Sequence, residues 1–153
     1  MIADLLHNPL FVGPALAWLI AQGLKIIIEL TVNRTFDIMR FFGSGGMPSS
    51  HSSTVCALVV IAATRYGFSG FEFPMAFFFA FIVMYDARGV RRETGEQAKV
   101  LNAMMDLFEK MGNEIPGPDE LKELIGHTPL QVFAGAVIGV IIGLIVSASF
   151  GLI

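Results

Sequence analysis

The stretch LQVFAGAVIGVIIGLIVSASFGLI, residues 130–153, decides the class of fold because it contains no charged side chain. A helix of this length, which rises about 1.5 Å per residue, can cross the roughly 30 Å hydrocarbon core of a bilayer. Gly135, Gly139 and Gly143 recur every four residues within it and form a small-residue face. Such a face suits close contact with another helix in lipid, and it predicts a surface for a homo-oligomer.

Three further apolar segments precede this one along the chain. The first, over about 10–30, is long enough to span, and Lys25 lies near its far end, where a long side chain can reach the interface. The second, 50–65, and the third, 73–85, are shorter than the roughly 20 residues of a typical span, so they extend into polar flanks or the membrane thins around them. We therefore predict an all-α integral membrane protein with about four spans, in a single domain covering residues 1–153.

The overall composition agrees with a membrane protein. Of the 153 residues, 54% are hydrophobic and 15% are charged, and the mean hydropathy is +0.69, whereas a soluble domain is about 25% charged. Cys56 is the one cysteine and lies in an apolar run, so neither an intramolecular disulfide nor a cysteine-based metal site is expected. The expected partners are the membrane and a lipid, with no nucleic acid.

The most polar part of the chain, residues 93–126, lies between the third and fourth apolar segments. Its apolar residues recur near helical spacing over 95–111, which predicts an amphipathic helix. Gly112 is expected to end that helix, and prolines precede a predicted short helix over 119–125. The fold prediction therefore adds a polar amphipathic helical insertion to the spans.

Nearly all basic residues fall at one face of the membrane if four spans alternate in direction. The residues on that face are Lys25, Arg34, Arg40, Arg88, Arg91, Arg92, Lys99, Lys110 and Lys122. Only Arg65 falls at the other face. By the positive-inside rule the basic face is cytoplasmic, which predicts a multi-pass protein of the cell membrane with both termini outside.

Two histidines fall at the same face, each beside a predicted helix N-terminus: His51 before the second span and His127 before the fourth. Free N–H groups and the helix dipole favour an anion there, and imidazoles beside guanidinium groups suit a tetrahedral oxyanion such as phosphate. One histidine could attack phosphorus and form a phosphohistidine while the other protonates the leaving alkoxide. Because no dense carboxylate or His/Cys cluster indicates a metal site, we expect hydrolysis without a metal or another cofactor.

Three motifs carry a family resemblance. They are Gly-Gly-Met-Pro-Ser-Ser-His-Ser at 45–52, Asp-Ala-Arg-Gly-Val-Arg at 86–91 and Gly-His-Thr-Pro-Leu-Gln-Val at 126–132. In this order they resemble the divergent branch of the type-2 phosphatidic acid phosphatase family, which is related to acid phosphatases and vanadium haloperoxidases. The resemblance covers nearly the whole chain and implies a membrane phosphatase that acts on a phospholipid or a prenyl phosphate.

The resemblance also implies roles for individual residues. Ser49 would bind phosphate, His51 would act as the acid and His127 would act as the nucleophile. Lys25 resembles the basic residue that opens the family's first motif, and Ser50 stands in the place of a motif glycine. The residues predicted to bind substrate are Lys25, Arg40, Ser49, Ser50, Arg88, Arg91, Arg92 and Gln131.

The motif around His127 departs from the family pattern four residues later, where the family has aspartate and this chain has Gln131. An amide can fix the imidazole tautomer by hydrogen bonding, but it cannot stabilise the imidazolium by charge. Asp86 is the candidate for the missing carboxylate. Gln131 also motivates an alternative function, a non-catalytic membrane module that binds anionic lipid headgroups or phosphorylated ligands.

Overall fold

The computed structural model describes residues 2–32, 46–112, 121 and 126–153. Every regular element among these residues is a helix, and the described part of the chain contains no strand, so the predicted all-α class is confirmed. The helices are α1 (Ile2–Leu6), α2 (Pro9–Val32), α3 (Ser50–Tyr66), α4 (Glu72–Arg88), α5 (Val90–Lys110) and α6 (Pro129–Ser149).

Among the described residues, three helical stretches are long and apolar enough to cross a membrane: Pro9–Thr31, Glu72–Lys110 and Pro129–Ser149. The prediction of membrane-spanning helices is therefore confirmed. The predicted number of four is not, because α3 has 17 residues and is shorter than these stretches. The sequence had already indicated a short helix at this position.

The helix α3 lies at the centre of the bundle and packs against α2, α4 and α6. It ends at Tyr66 because Gly67 adopts a φ of 73° and donates its N–H to the Ala63 carbonyl at 2.9 Å. Its buried side chains are small or aliphatic: Ser50, Ser52, Ser53, Val55, Ala57, Ile61 and Ala62. A helix that is surrounded by other helices can carry hydroxyl groups that would be costly on a lipid-facing surface.

The glycine face of α6 packs against α3 within the same chain. A Cβ added at Gly135 would overlap the Ser49 carbonyl, and one at Gly139 would overlap the Ser53 carbonyl. Gly143 is buried with them. The predicted close helix contact is therefore present, but its partner is intramolecular. The prediction of a homo-oligomer through this face needs correction, because the three glycines are covered by α3 and are not on the surface.

The helix α5 forms the predicted amphipathic insertion, and it begins at Val90 rather than at 95. Gly89 does not interrupt the hydrogen bonding, since its N–H donates to the Tyr85 carbonyl at 2.8 Å and its carbonyl accepts from Glu93 N at 3.0 Å. The short helix predicted over 119–125 lies outside the described residues apart from Leu121.

The ends of three helices are joined at one end of the bundle. Ser49, at the start of α3, donates its N–H to the Gln131 carbonyl in the first turn of α6 at 3.0 Å. His127, just before α6, donates its N–H to the Ala87 carbonyl near the end of α4 at 3.0 Å. This is the end at which the sequence placed both motif histidines and most basic residues.

Candidate functional site

His51 and His127 lie side by side at the joined helix ends. Their ring centroids are 5.7 Å apart, and the ring planes are inclined at 63°. His127 is 2% exposed, and His51 is half-buried. A reacting atom must approach to about 3–3.5 Å and a proton donor to about 2.6–3.2 Å. Two imidazoles this close can therefore reach one tetrahedral group from two sides.

Gln131 positions the His127 ring while it caps α6. Thr128 is the N-cap residue of α6 and accepts the Gln131 N–H on its hydroxyl oxygen at 3.4 Å. The Gln131 side-chain oxygen, Oε1, accepts the Thr128 N–H in return at 3.0 Å, which completes a capping box. The same oxygen lies 3.4 Å from His127 Nδ1.

This shared oxygen selects a tautomer of His127. Because the Thr128 N–H donates to Gln131 Oε1, the atom facing the imidazole is an acceptor, and only a protonated Nδ1 can hydrogen-bond to it. The contact therefore favours a hydrogen on Nδ1 and a lone pair on Nε2. Gln131 can orient the ring as an aspartate would, and it lacks the negative charge of an aspartate.

Ser49 is the N-cap of α3 and holds the first turn in which His51 lies. Its backbone is extended, and its hydroxyl oxygen accepts the Ser52 N–H at 3.3 Å and the Ser52 hydroxyl at 3.1 Å. Ser49 is fully buried. Capping alone gives this serine a structural role, and its contact with phosphate stays a prediction.

Lys25 brings a positive charge from α2 to the start of α3. Its side chain is 7% exposed, and Nζ donates to the Ser50 hydroxyl at 3.3 Å. Ser50 directly precedes His51. Burying an ammonium group is costly unless acceptors surround it, and a phosphate oxygen is a stronger acceptor for an ammonium than a hydroxyl is. An anion beside Ser50 would therefore stabilise the buried charge of Lys25.

A backbone hydrogen bond places Asp86 and the 86–91 motif at the same end of the bundle. Asp86 is half-buried in the last turn of α4. The residue that follows it, Ala87, accepts the His127 N–H. All three motifs therefore meet at one end of the bundle, whereas the use of Asp86 as the missing carboxylate stays a prediction.

The predicted arginines whose side chains the structure describes are more exposed than the two histidines. Arg88 ends α4 and Arg92 lies in the first turn of α5, and both are exposed. Arg91 lies in the same turn as Arg92, and Arg40 falls outside the described residues. The role of each arginine in binding phosphate stays a prediction.

Gln22 is a buried polar residue that the sequence reasoning missed. It is 3% exposed and lies on α2 three residues before Lys25, which places both on neighbouring parts of one helix face. Gln22 could have been recognised from the sequence as an amide inside an apolar segment. Polar side chains are costly in such segments and mark interior or functional positions.

The residues that match known proteins include the whole candidate site. The Divergent PAP2 family matches residues 6–142, a range that includes all three motifs and every residue from Lys25 to Gln131. One similar protein is the uncharacterized membrane protein YuiD of Bacillus subtilis (strain 168), which is 38% identical over 156 residues covering 96% of this chain and 99% of that protein. No solved structure gives a significant match.

Proposed function

The chain belongs to the Divergent PAP2 family, as its three motifs predicted, and we propose that it is a metal-independent phosphatase of the cell membrane. Its substrate would be a lipid phosphomonoester or pyrophosphate, hydrolysed at the cytoplasmic face through a phosphohistidine. The observation that carries the proposal is the His51–His127 pair, with ring centroids 5.7 Å apart. Lys25 and two helix N-termini lie around this pair and would stabilise the charge of a phosphate.

In the first step the lone pair on His127 Nε2 attacks phosphorus, and the bond between phosphorus and the ester oxygen breaks. Protonated His51 gives its proton to the leaving oxygen, so the alcohol departs neutral. Positive charge develops on the His127 ring, where Gln131 Oε1, 3.4 Å from Nδ1, would stabilise it as a dipole. The products are a phosphohistidine and a neutral His51.

In the second step a water molecule attacks phosphorus, and His51 now accepts the proton that the water loses. The bond between phosphorus and His127 Nε2 breaks, and its electron pair returns to the ring. Inorganic phosphate leaves, and both histidines regain their starting protonation states. With a pyrophosphate substrate the leaving group of the first step is the lipid monophosphate.

The helix ends favour a substrate that remains in the membrane. The site lies where membrane-spanning helices end, so a phosphate on a lipid headgroup could reach it while the acyl or prenyl chain stays in the bilayer. The excess of basic residues at this end supports a cytoplasmic orientation. Lipid intermediates made on the inner leaflet are therefore the proposed substrates.

The proposal is tested by phosphate release from the purified protein with phosphatidic acid, phosphatidylglycerophosphate and prenyl pyrophosphates. We expect release from at least one substrate, loss of turnover in His127→Ala, inhibition by vanadate and no effect of EDTA. His7→Ala is a matched control, because His7 is exposed on the turn after α1 and bonds to the Ala3 carbonyl. No release from any substrate, or full activity in His127→Ala, would overturn the proposal.

A second candidate function, binding without turnover, rests on Gln131. The capping box accounts for this glutamine with no catalytic role, and its amide carries no charge that could balance an imidazolium. A binding module would hold phosphate or an anionic lipid beside Lys25 and Ser50 and would release no product. Equilibrium binding of a labelled phosphatidic acid, with single-turnover chemistry followed in the same sample, separates the two functions.

A further inference from the structure

The helix α5 carries an exposed apolar surface beyond its first turn, which holds Arg91 and Arg92. Six large apolar side chains there, each 41–69% exposed, are defined here as the α5 stripe: Val100, Leu101, Met104, Leu107, Phe108 and the adjoining Met111. At about 100° per residue they fall within about 120° of the helix circumference. An exposed apolar patch of this kind marks a binding surface more often than chance.

The α5 stripe is distinct from the face through which α5 packs on its own chain. Gly95 and Ala98 are buried on that other face. Asn102, also on it, donates from its amide to the Leu121 carbonyl at 3.0 Å and accepts the Leu121 N–H at 2.9 Å. The contacts of α5 with its own chain therefore lie on a different side of the helix from the α5 stripe.

The length of the helical stretch limits where the α5 stripe can lie. The stretch Glu72–Lys110 has 39 residues and would measure about 58 Å at 1.5 Å per residue, roughly twice the hydrocarbon core. The segment α4 carries the exposed aromatic side chains suited to lipid, among them Phe78, Phe81 and Tyr85. If α4 crosses the core, most of α5 must lie outside it.

The end of α4 also identifies the side of the membrane on which α5 begins. Ala87, near the end of α4, accepts the backbone N–H of His127, and α5 begins at Val90. The helix α5 therefore starts at the bundle end that holds the two histidines, and the α5 stripe follows ten residues later, from Val100. The lipid-facing side of α4 and the α5 stripe follow each other along one continuous chain segment.

Gly89, between α4 and α5, has a φ of −90° and a ψ of −85°, which depart from helical values. We propose that the chain turns there, so that α5 lies in the plane of the membrane interface with the α5 stripe inserted among the lipids of the leaflet that faces the histidine site. An amphipathic helix with a polar opposite face occupies this position in other membrane-bound proteins. The helix contains four basic residues, Arg91, Arg92, Lys99 and Lys110, and four acidic ones, Glu93, Glu96, Asp106 and Glu109. Their charges cancel, so the contact is apolar and needs no anionic lipid. The proposal is independent of whether the site turns over.

The test measures the surroundings of single positions on α5 in the full chain. With the one cysteine replaced, Cys56→Ser, new cysteines are placed on the stripe (Met104→Cys, Leu107→Cys) and on the polar side (Asp106→Cys, Lys110→Cys). Each carries an environment-sensitive fluorophore in phosphatidylcholine nanodiscs that hold one protein copy. We expect the stripe labels to emit at shorter wavelength than the polar-side labels and to be quenched by lipids spin-labelled near the headgroup. Quenching of their fluorescence by iodide should be several-fold weaker than at the polar-side positions.

Each other result contradicts the proposal. Equal quenching by iodide at all four positions would place the stripe in water. Protection from both quenchers would mean that the chain itself covers it, and protection only in discs with two copies would mean that a second copy covers it. Lipid quenching that needs phosphatidylglycerol would contradict the apolar contact. All four replaced side chains are exposed, so circular dichroism should match the parent, and Leu101→Cys against Lys99→Cys repeats the comparison if one variant fails to fold.

Discussion

Replacing Gln131 by glutamate isolates the effect of a negative charge at this position beside the predicted nucleophile, His127. Gln131 Oε1 accepts the Thr128 N–H at 3.0 Å and lies 3.4 Å from His127 Nδ1. Glutamate has the same length and also serves as a capping-box partner. The helix cap and the position of the side-chain oxygen should therefore be kept, and the substitution adds only a negative charge beside the imidazole.

The size of the effect follows from the contact distance. Two full charges about 4 Å apart interact by about 4 kcal/mol at the effective dielectric constant of about 20 that suits a partly buried pair. The imidazolium is only partly formed in the transition state, so about half of this, roughly 2 kcal/mol, is available. At about 1.4 kcal/mol per tenfold change, Gln131→Glu should raise kcat about 30-fold.

The assay is phosphate release under single-turnover and steady-state conditions for the parent and for Gln131→Glu. The gain should appear in kcat more than in KM, because the charge acts on the developing imidazolium rather than on the bound ground state. Gln131→Leu is the matched control, since it removes the side-chain acceptor for the Thr128 N–H and the contact with His127 Nδ1, while the backbone N–H of residue 131 can still donate to the Thr128 hydroxyl. Gln131→Asp restores the family's carboxylate on a shorter side chain and should give a smaller gain.

Two results would refute this reasoning. A folded Gln131→Glu protein with unchanged or lower kcat would mean that residue 131 serves the helix cap alone. An absence of turnover in both the glutamine and the glutamate forms would favour the binding module. Thermal unfolding of each variant, followed by circular dichroism, supplies the evidence of folding that both conclusions need.

Further predictions concern packing and binding around the site. Gly135→Ala would push a methyl group into the backbone carbonyl at the N-cap of α3 and should cost about 1–3 kcal/mol of stability, measured by thermal unfolding in detergent. Gly23→Ala, whose Cβ would meet nothing within 4 Å, should be neutral or stabilise α2 by about 0.5–1 kcal/mol; a loss equal to that of Gly135→Ala would contradict the packing argument. Lys25→Met should weaken inhibition by vanadate without lowering stability, because it removes a buried ammonium; unchanged vanadate inhibition would exclude Lys25 from the anion site. Thr64 and Ser147, whose hydroxyls are 2.8 Å apart between α3 and α6, should show a coupling energy of about 0.6 kcal/mol in a double-mutant cycle, and additive losses would count against a direct bond.

The membrane helices and the meeting of their ends could be predicted because both depend on local sequence. An uncharged run of this length has few stable positions except across a bilayer, and alternating spans return every second helix end to one side. His127 N and the Ala87 carbonyl, 40 residues apart, are hydrogen-bonded for this reason. The sequence therefore predicted the class of fold and the meeting of the second and third motifs at one end of the bundle.

The partner of the glycine face could not be predicted in the same way. A row of small residues indicates that a backbone can approach closely, and it does not identify which backbone. Here the partner is α3, whose Ser49 and Ser53 carbonyls lie where side chains on Gly135 and Gly139 would be. The start of α5 was missed for a related reason. Gly89 can end a helix, but both of its backbone groups stay within helical hydrogen bonds.

Gln131 illustrates how a structural role changes the meaning of a departure from a motif. From the sequence, the residue was a missing carboxylate beside the nucleophile. In the structure, the same oxygen bonds to the Thr128 N–H and approaches His127 Nδ1. A glutamine completes the helix cap and favours one imidazole tautomer, but it supplies no negative charge. The glutamine cannot stabilise a positively charged imidazolium with a charge of its own. We therefore expect the step that forms the phosphohistidine to be slow, whereas phosphate binding at Lys25 should be unaffected.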